Sequence, residues 1–265
     1  MSSARKTDTL TEAFDIQPGD VISLVGAGGK TTLMFALAGE LTARKKLVIT
    51  TTTTKIFYPS SSDTAYVLVS EEENEIADFI LSKGDQYGHI TIASEKIVSS
   101  GKLKGIDPEL VSRLCRLSPV DCVIVEADGA ARKPLKAPDI DFEPVIPQNS
   151  SLVIPVVGID ALGCALTEAH VFRSEIAAKI SGTAIGEIVS MDTITRLITC
   201  PSGIIYGAPD HARIVPFINK MDLSEDLSNG RALASRILDV RHPRIDRVVL
   251  GQAKFQPQIR EVVSR

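Results

Sequence analysis

The sequence predicts a three-layer α/β/α fold around a mostly parallel central sheet. Three observations carry this. Apolar, β-branched runs alternate with helix-prone segments along the chain. A glycine cluster joins the first such run to the first long helix. Hydrophobic residues make up 44% of the 265, enough for a core covered on both faces.

Residues 1–18 are polar and mixed, with one short helix expected near 10–14. The run 20–25 (DVISLV) reads as a buried strand, and 31–42 has helical spacing. A second strand spans 46–50, and the threonines at 50–54 leave its carboxyl end. Strands at 66–69 and 89–93 flank a helix over 72–82. Asp107 is placed to cap a helix over 108–117, and 120–125 is a strongly apolar strand ending at Glu126. Four prolines within 127–150 predict a loop there, the one place for a minor break in an otherwise single domain spanning 1–265. A strand at 151–157 precedes helices over 168–180 and within 183–199. A strand at 213–218, a helix at 228–238, a strand at 247–250 and a helix at 256–263 complete the chain.

A net charge of −4, no tryptophan and 5% aromatics argue against a nucleic-acid binder. Cys115, Cys122, Cys164 and Cys200 are widely spaced and form no thiolate zinc motif. The first residues lack a signal-peptide apolar run, and no stretch approaches the roughly 20 apolar residues of a membrane span. The expectation is a cytoplasmic protein that uses no membrane.

The sharpest motif is Gly26-Ala27-Gly28-Gly29-Lys30-Thr31-Thr32, between a predicted strand and a predicted helix. Glycines let backbone N–H groups approach phosphate oxygens, and the helix N-terminus favours anions. Lys30 supplies a cation and Thr31 a hydroxyl for magnesium (Mg2+). This is a P-loop of short form. Leu24 stands where the usual motif has its first glycine, and the spacing resembles that of Mur-type ligases and folylpolyglutamate synthases. A glycine-rich turn without a ligand is the plainer alternative.

At the end of the 120–125 strand, Glu126 and Asp128 resemble a Walker B pair, able to hold magnesium or orient a water. An ordinary strand end with a turn remains the competing reading. The catalytic candidates are Lys30, Glu126 and Asp128, and the metal candidates are Thr31 and Glu126. Asn219-Lys220-Met221-Asp222 follows an apolar strand and resembles the N-K-x-D guanine-reading motif, against a solvated turn. The carboxylate at position 222 would accept from guanine N1–H and the 2-amino group, which adenine cannot offer. The nucleotide is thus GTP or ATP. Arg132, Lys133 and Lys136, in a proline-restricted loop, are expected to hold a second, anionic ligand, unless they only neutralise the triphosphate or form a basic surface turn.

The stretches VGAGGKTT at 25–32, TTTTKI at 51–56, KLKGI at 102–106 and VEADGAARKPLKAP at 125–138 resemble the YqeC family of selenium-dependent molybdenum-hydroxylase accessory proteins. So do EPVIP at 143–147, VVGIDALG at 156–163, HVFR at 170–173 and PFINKMD at 216–222. The resemblance implies a role in maturing a molybdenum hydroxylase, with that enzyme or its pterin cofactor as partner; the phosphate loop and the N-K-x-D match add the expectation of a nucleoside triphosphatase. A Mur-like ligase or transferase acting on a small anion, or a nucleotide-sensing module without turnover, are the alternatives.

Overall fold

A computed structural model describes residues 3–5, 7–223 and 227–265. Its main sheet has 11 strands among the described residues. From one edge they run Ser3–Arg5, Ile259–Ser264, Arg247–Gly251, Phe217–Asn219, Leu152–Gly158, Val21–Gly26, Cys122–Glu126, Val48–Thr52, His89–Ala93 and Tyr66–Val69, with Arg213–Ile214 also pairing to Leu152–Gly158. Every pairing from Arg247–Gly251 to Tyr66–Val69 is parallel; only Ile259–Ser264 and Ser3–Arg5 join antiparallel.

The central strands are mostly apolar because both faces are covered. Val21, Val25, Val123, Val125, Val153 and Val157 enter one core with Ile76, Ile80, Leu110, Ile194 and Leu233 of the helices on that face. Their sequence neighbours Ile22, Leu24, Ile124, Ile154 and Val156 enter the other core, against Leu33, Met34 and Leu37 of the Lys30–Ala43 helix. This period-two division is what a strand between two helical layers requires. The expected mostly parallel α/β/α architecture is the observed one.

Four local expectations are corrected. The helix at 256–263 is instead the strand Ile259–Ser264, antiparallel to Arg247–Gly251. Ile259, Val262 and Val263 have helical spacing, but an open sheet edge and β-branched side chains favour pairing. The helix expected from Glu168 starts only at Ser174. Arg173 sits at φ 60, outside the helical region, and the Glu168 carboxylate accepts the N–H groups of Arg173 and Ser174, each at 2.9 Å. Helical turns from 183 begin only at Met191, where Ser190 and Thr193 form a capping box. Pro216 has no N–H, and the expected 213–218 strand is two pieces, Arg213–Ile214 and Phe217–Asn219.

A small antiparallel sheet was not expected: Lys55–Phe57 pairs Lys102–Lys104, which pairs Glu95–Ile97. Ile56 and Leu103 turn into the second core, while the lysines face outward.

Candidate functional site

Parallel strands bring their carboxyl ends to one edge. Gly26 pairs with Val156, Leu24 and Thr52 pair with Glu126, and Gly158 pairs with Asn219. The phosphate-loop candidates, the acidic pair and the 219–222 segment therefore converge, though the sequence separates them by up to 196 positions, from Gly26 to Asp222.

The loop needs its glycines. Gly28 has φ +82, and a Cβ there would collide with the backbone nitrogen of Gly158. Gly29 has φ +123 and would collide with the Asn219 side chain. Both conformations disfavour other residues. Gly29 caps the Lys30–Ala43 helix, whose first N–H groups have no preceding turn to bond.

Lys30 is buried, 3% exposed. Its Nζ donates to Gly26 O at 2.7 Å and lies 3.1 Å from Asp128 Oδ1 and 3.5 Å from Glu126 Oε1. Burial alone would lower its pKa, but Asp128 and then Glu126 outweigh this, and the ammonium is held above its ordinary range. Glu126 goes the other way: burial pushes its carboxyl up, and Lys30 and the Thr31 hydroxyl only partly offset that. Thr31 Oγ1 donates to Glu126 Oε2 at 2.6 Å. Asp128 Oδ2 accepts Gly26 N–H at 3.0 Å and pairs with Lys136 Nζ at 3.0 Å. Its Oδ1 is buried without an aligned hydrogen bond; the approach of Lys30 is charge-to-charge only.

Beside these groups is a cavity of about 360 Å³ lined by Gly28–Thr32, Glu126, Arg132, Lys133 and Lys220, with Lys55, Phe57 and Lys102 from the small sheet. Magnesium favours hard oxygen ligands. The adjacent Thr31 hydroxyl and Glu126 carboxylate, with Asp128 two residues further on, fit such an ion.

Asn219 lies on the other side of the loop. Its Nδ2 donates to Gly28 O at 2.8 Å, and its Oδ1 accepts Ala253 N–H at 2.9 Å. Lys220, at φ 64, pairs with Asp160 Oδ2 at 2.7 Å and lines the cavity. Asp222 is exposed in the turn Met221–Leu223, away from the cavity wall.

The three expected cations of the proline loop are divided. The Arg132 guanidinium stacks 4.5 Å over the Phe57 ring at the cavity. Lys133 donates through Nζ to Ala169 O at 2.8 Å while lining the same cavity. Lys136 is fully buried; its Nζ donates to Gly129 O at 2.6 Å and pairs with Asp128 and with Glu143 at 3.1 Å. It offers no free charge to a ligand, so this part of the expected second-ligand face is corrected. The Thr51–Thr53 hydroxyls likewise bond Ile92 O, Glu126 O and Val145 O, and Thr50 bonds His89 and Thr91. Asp160, Lys55 and Lys102 were missed as site residues; each lies in a stretch, 156–163, 51–56 or 102–106, whose pattern could have flagged it.

Among the described residues, no cluster of histidine, cysteine and acidic side chains could alone hold a metal, and no helix is long and apolar enough to cross a membrane.

A family model described as YqeC protein matches residues 22–175. The chain is 32% identical over 239 residues to a protein of Escherichia coli (strain K12) named "Uncharacterized protein YqeC", covering 90% of each. Among solved structures, it is similar to the hydrogenase maturation factor HypB from Archaeoglobus fulgidus, with 13% identity, a TM-score of 0.38, and coverage of 92% of this chain and 85% of that one. So slight a structural likeness carries no argument about function.

Proposed function

The chain belongs to the YqeC family, and from that premise we propose that it binds and hydrolyses GTP with magnesium. The observation that carries the choice of base is Asn219, whose side chain bonds both the phosphate loop and the loop at Ala253. That link brings a segment of guanine-reading pattern next to a phosphate-binding loop.

In this reading, the loop N–H groups and Lys30 hold the outer phosphates. Lys30 reaches them by leaving Gly26 O. Thr31 and Glu126 hold magnesium, which when bound neutralises charge on the phosphate oxygens. Asp128 orients the attacking water through Oδ1 once Lys30 has moved from it to the phosphates. Asp222 turns to the guanine edge, and Lys220, steadied by Asp160, flanks the base. The family resemblance supports a role in maturing a selenium-dependent molybdenum hydroxylase.

The test is direct competition of GTP and ATP, with mass spectrometry of any nucleotide retained on purification. GTP should win. Asp222→Asn should weaken GTP and improve xanthosine triphosphate, whose 2-oxo group accepts where guanine donates. Preference for ATP, or no phosphate release without a second substrate, overturns the respective half of the proposal.

A further inference from the structure

A second cavity, of about 450 Å³, adjoins the phosphate loop and is left unused by the nucleotide reading. Thr54, Lys55, Lys102, Lys104, Gly105 and Glu143 are among its walls. It shares Lys55, Lys102 and Gly129 with the phosphate-loop cavity, so a ligand in one abuts a ligand in the other.

The charge of this cavity follows from who is already paired. Glu143 is engaged by Arg173 Nη1 at 2.7 Å, Gly129 N–H at 2.8 Å and Lys136 Nζ at 3.1 Å. Its own burial would raise the carboxyl's pKa, but Lys136, Gly129 and Arg173 together hold it below the ordinary range. It is an anion fully balanced from behind. The lysines in front are balanced only in part. Lys104 pairs loosely with Glu71 at 3.8 Å and Glu95 at 3.9 Å. Among the described residues, Lys55 and Lys102 have no carboxylate in ion-pair range, and Lys102 Nζ rests 5.0 Å over the Phe57 ring.

Strand register sharpens the point. Lys55 is the direct cross-strand partner of Lys104. Like charges directly opposite each other destabilise a sheet, and Glu95, opposite Lys104 on the other side, relieves it only in part. The Lys55–Phe57 and Lys102–Lys104 strands thus bring two cations without an ion pair, Lys55 and Lys102, to one recess beside Lys104, in a chain whose net charge is −4. Such an arrangement focuses a positive potential on a small volume.

We propose that this cavity binds a second small anion, a phosphate-bearing molecule, beside the terminal phosphate of the nucleotide. The site lies next to the nucleotide, and only that neighbour rests on the GTP reading; the cations themselves do not. A molecule held there is positioned as an allosteric ligand, which separates this protein from a hydrolase with one occupant.

The test is an amide NMR titration of the full chain with inorganic phosphate at fixed ionic strength, after loading with magnesium and a non-hydrolysable GTP analogue. Saturable shifts at Thr54 and Gly105 are expected. Lys104→Glu, at an exposed position, should weaken phosphate by about tenfold, one attraction being exchanged for a repulsion, with nucleotide affinity held within about twofold. Thr54→Val serves as a second, uncharged variant and should weaken phosphate without changing the salt dependence. Displacement of the nucleotide by phosphate, or shifts insensitive to both variants, overturns the site. The titration is repeated without nucleotide on Lys30→Ala. Lys104-dependent shifts there support the cavity even where GTP fails to load, a failure that would count against the GTP reading alone. Their absence in both backgrounds overturns the inference.

Discussion

Replacing Lys136 with methionine removes a charge from the interior while keeping most of the side chain's volume. The ammonium has no exposed surface and three acceptors: Gly129 O at 2.6 Å, Asp128 Oδ2 at 3.0 Å and Glu143 Oε1 at 3.1 Å. Removing one partner from a buried ionic network costs about 3–5 kcal/mol, because the charges left behind stay desolvated. Asp128 retains Gly26 N–H and Lys30, and Glu143 retains Arg173 and Gly129 N–H, which argues for the lower end. At about 2–4 °C per kcal/mol for a chain of this size, Tm should fall by about 6–12 °C. Urea and thermal unfolding at neutral pH measure this. In the methionine background, Glu143→Gln should cost less than in the wild type, since the partner it serves is gone. A loss under about 1 kcal/mol would refute the reasoning. It would make Lys136 a solvated cation again, free to meet a ligand.

Lys30→Ala should weaken triphosphate binding by about 2–4 kcal/mol, or roughly 30- to 1000-fold, measured by calorimetry; unchanged affinity refutes the loop assignment. Gly28→Ala should abolish nucleotide binding and lower Tm, since its φ of +82 and the Gly158 backbone leave no room for a Cβ; normal affinity would show that the loop yields. His89 is buried, its Nε2 2.9 Å from Thr50 Oγ1, and its pKa is lowered from 6.5 to about 4, mainly by burial. The unfolded chain therefore binds the proton first as pH falls below 6.5, and stability is lost between there and pH 4. His89→Gln should lose about 2 kcal/mol less than wild type between pH 7 and pH 5 in urea titrations; identical losses would clear the histidine.

The parts of the fold that were legible are those where one physical demand dominates. Val21–Gly26 and Leu152–Gly158 are covered on both faces, so they are apolar at nearly every position and plain in the sequence. The small sheet of Lys55–Phe57, Glu95–Ile97 and Lys102–Lys104 is not legible, because three-residue strands are too short to show a period. The strand Ile259–Ser264 was hidden by apolar spacing that also suits a helix; only the neighbouring edge decides between them. In the site, Gly28, Gly29 and Lys30 are contiguous, and their chemistry is local. Glu143, Asp160 and Arg173 act through contacts made by folding, and Lys136 gave the wrong impression for the same reason. A lysine among prolines reads as surface until Asp128 and Glu143 are found around it.

Asn219 spends both ends of one amide on different loops, one bond to Gly28 and one to Ala253. Its neighbours in sequence are the residues that would contact a base. The consequence is evolutionary. In the proposed GTP reading, changes that re-tune base choice in the 219–222 segment also move the loop at Gly28, so their effects on selectivity and on affinity are inherited together. Selection for a new base should therefore favour paired substitutions, one in this segment and one near residues 251–254. Asn219 itself should be the last position to change, since losing it strands a carbonyl at Gly28 and an amide at Ala253 at once.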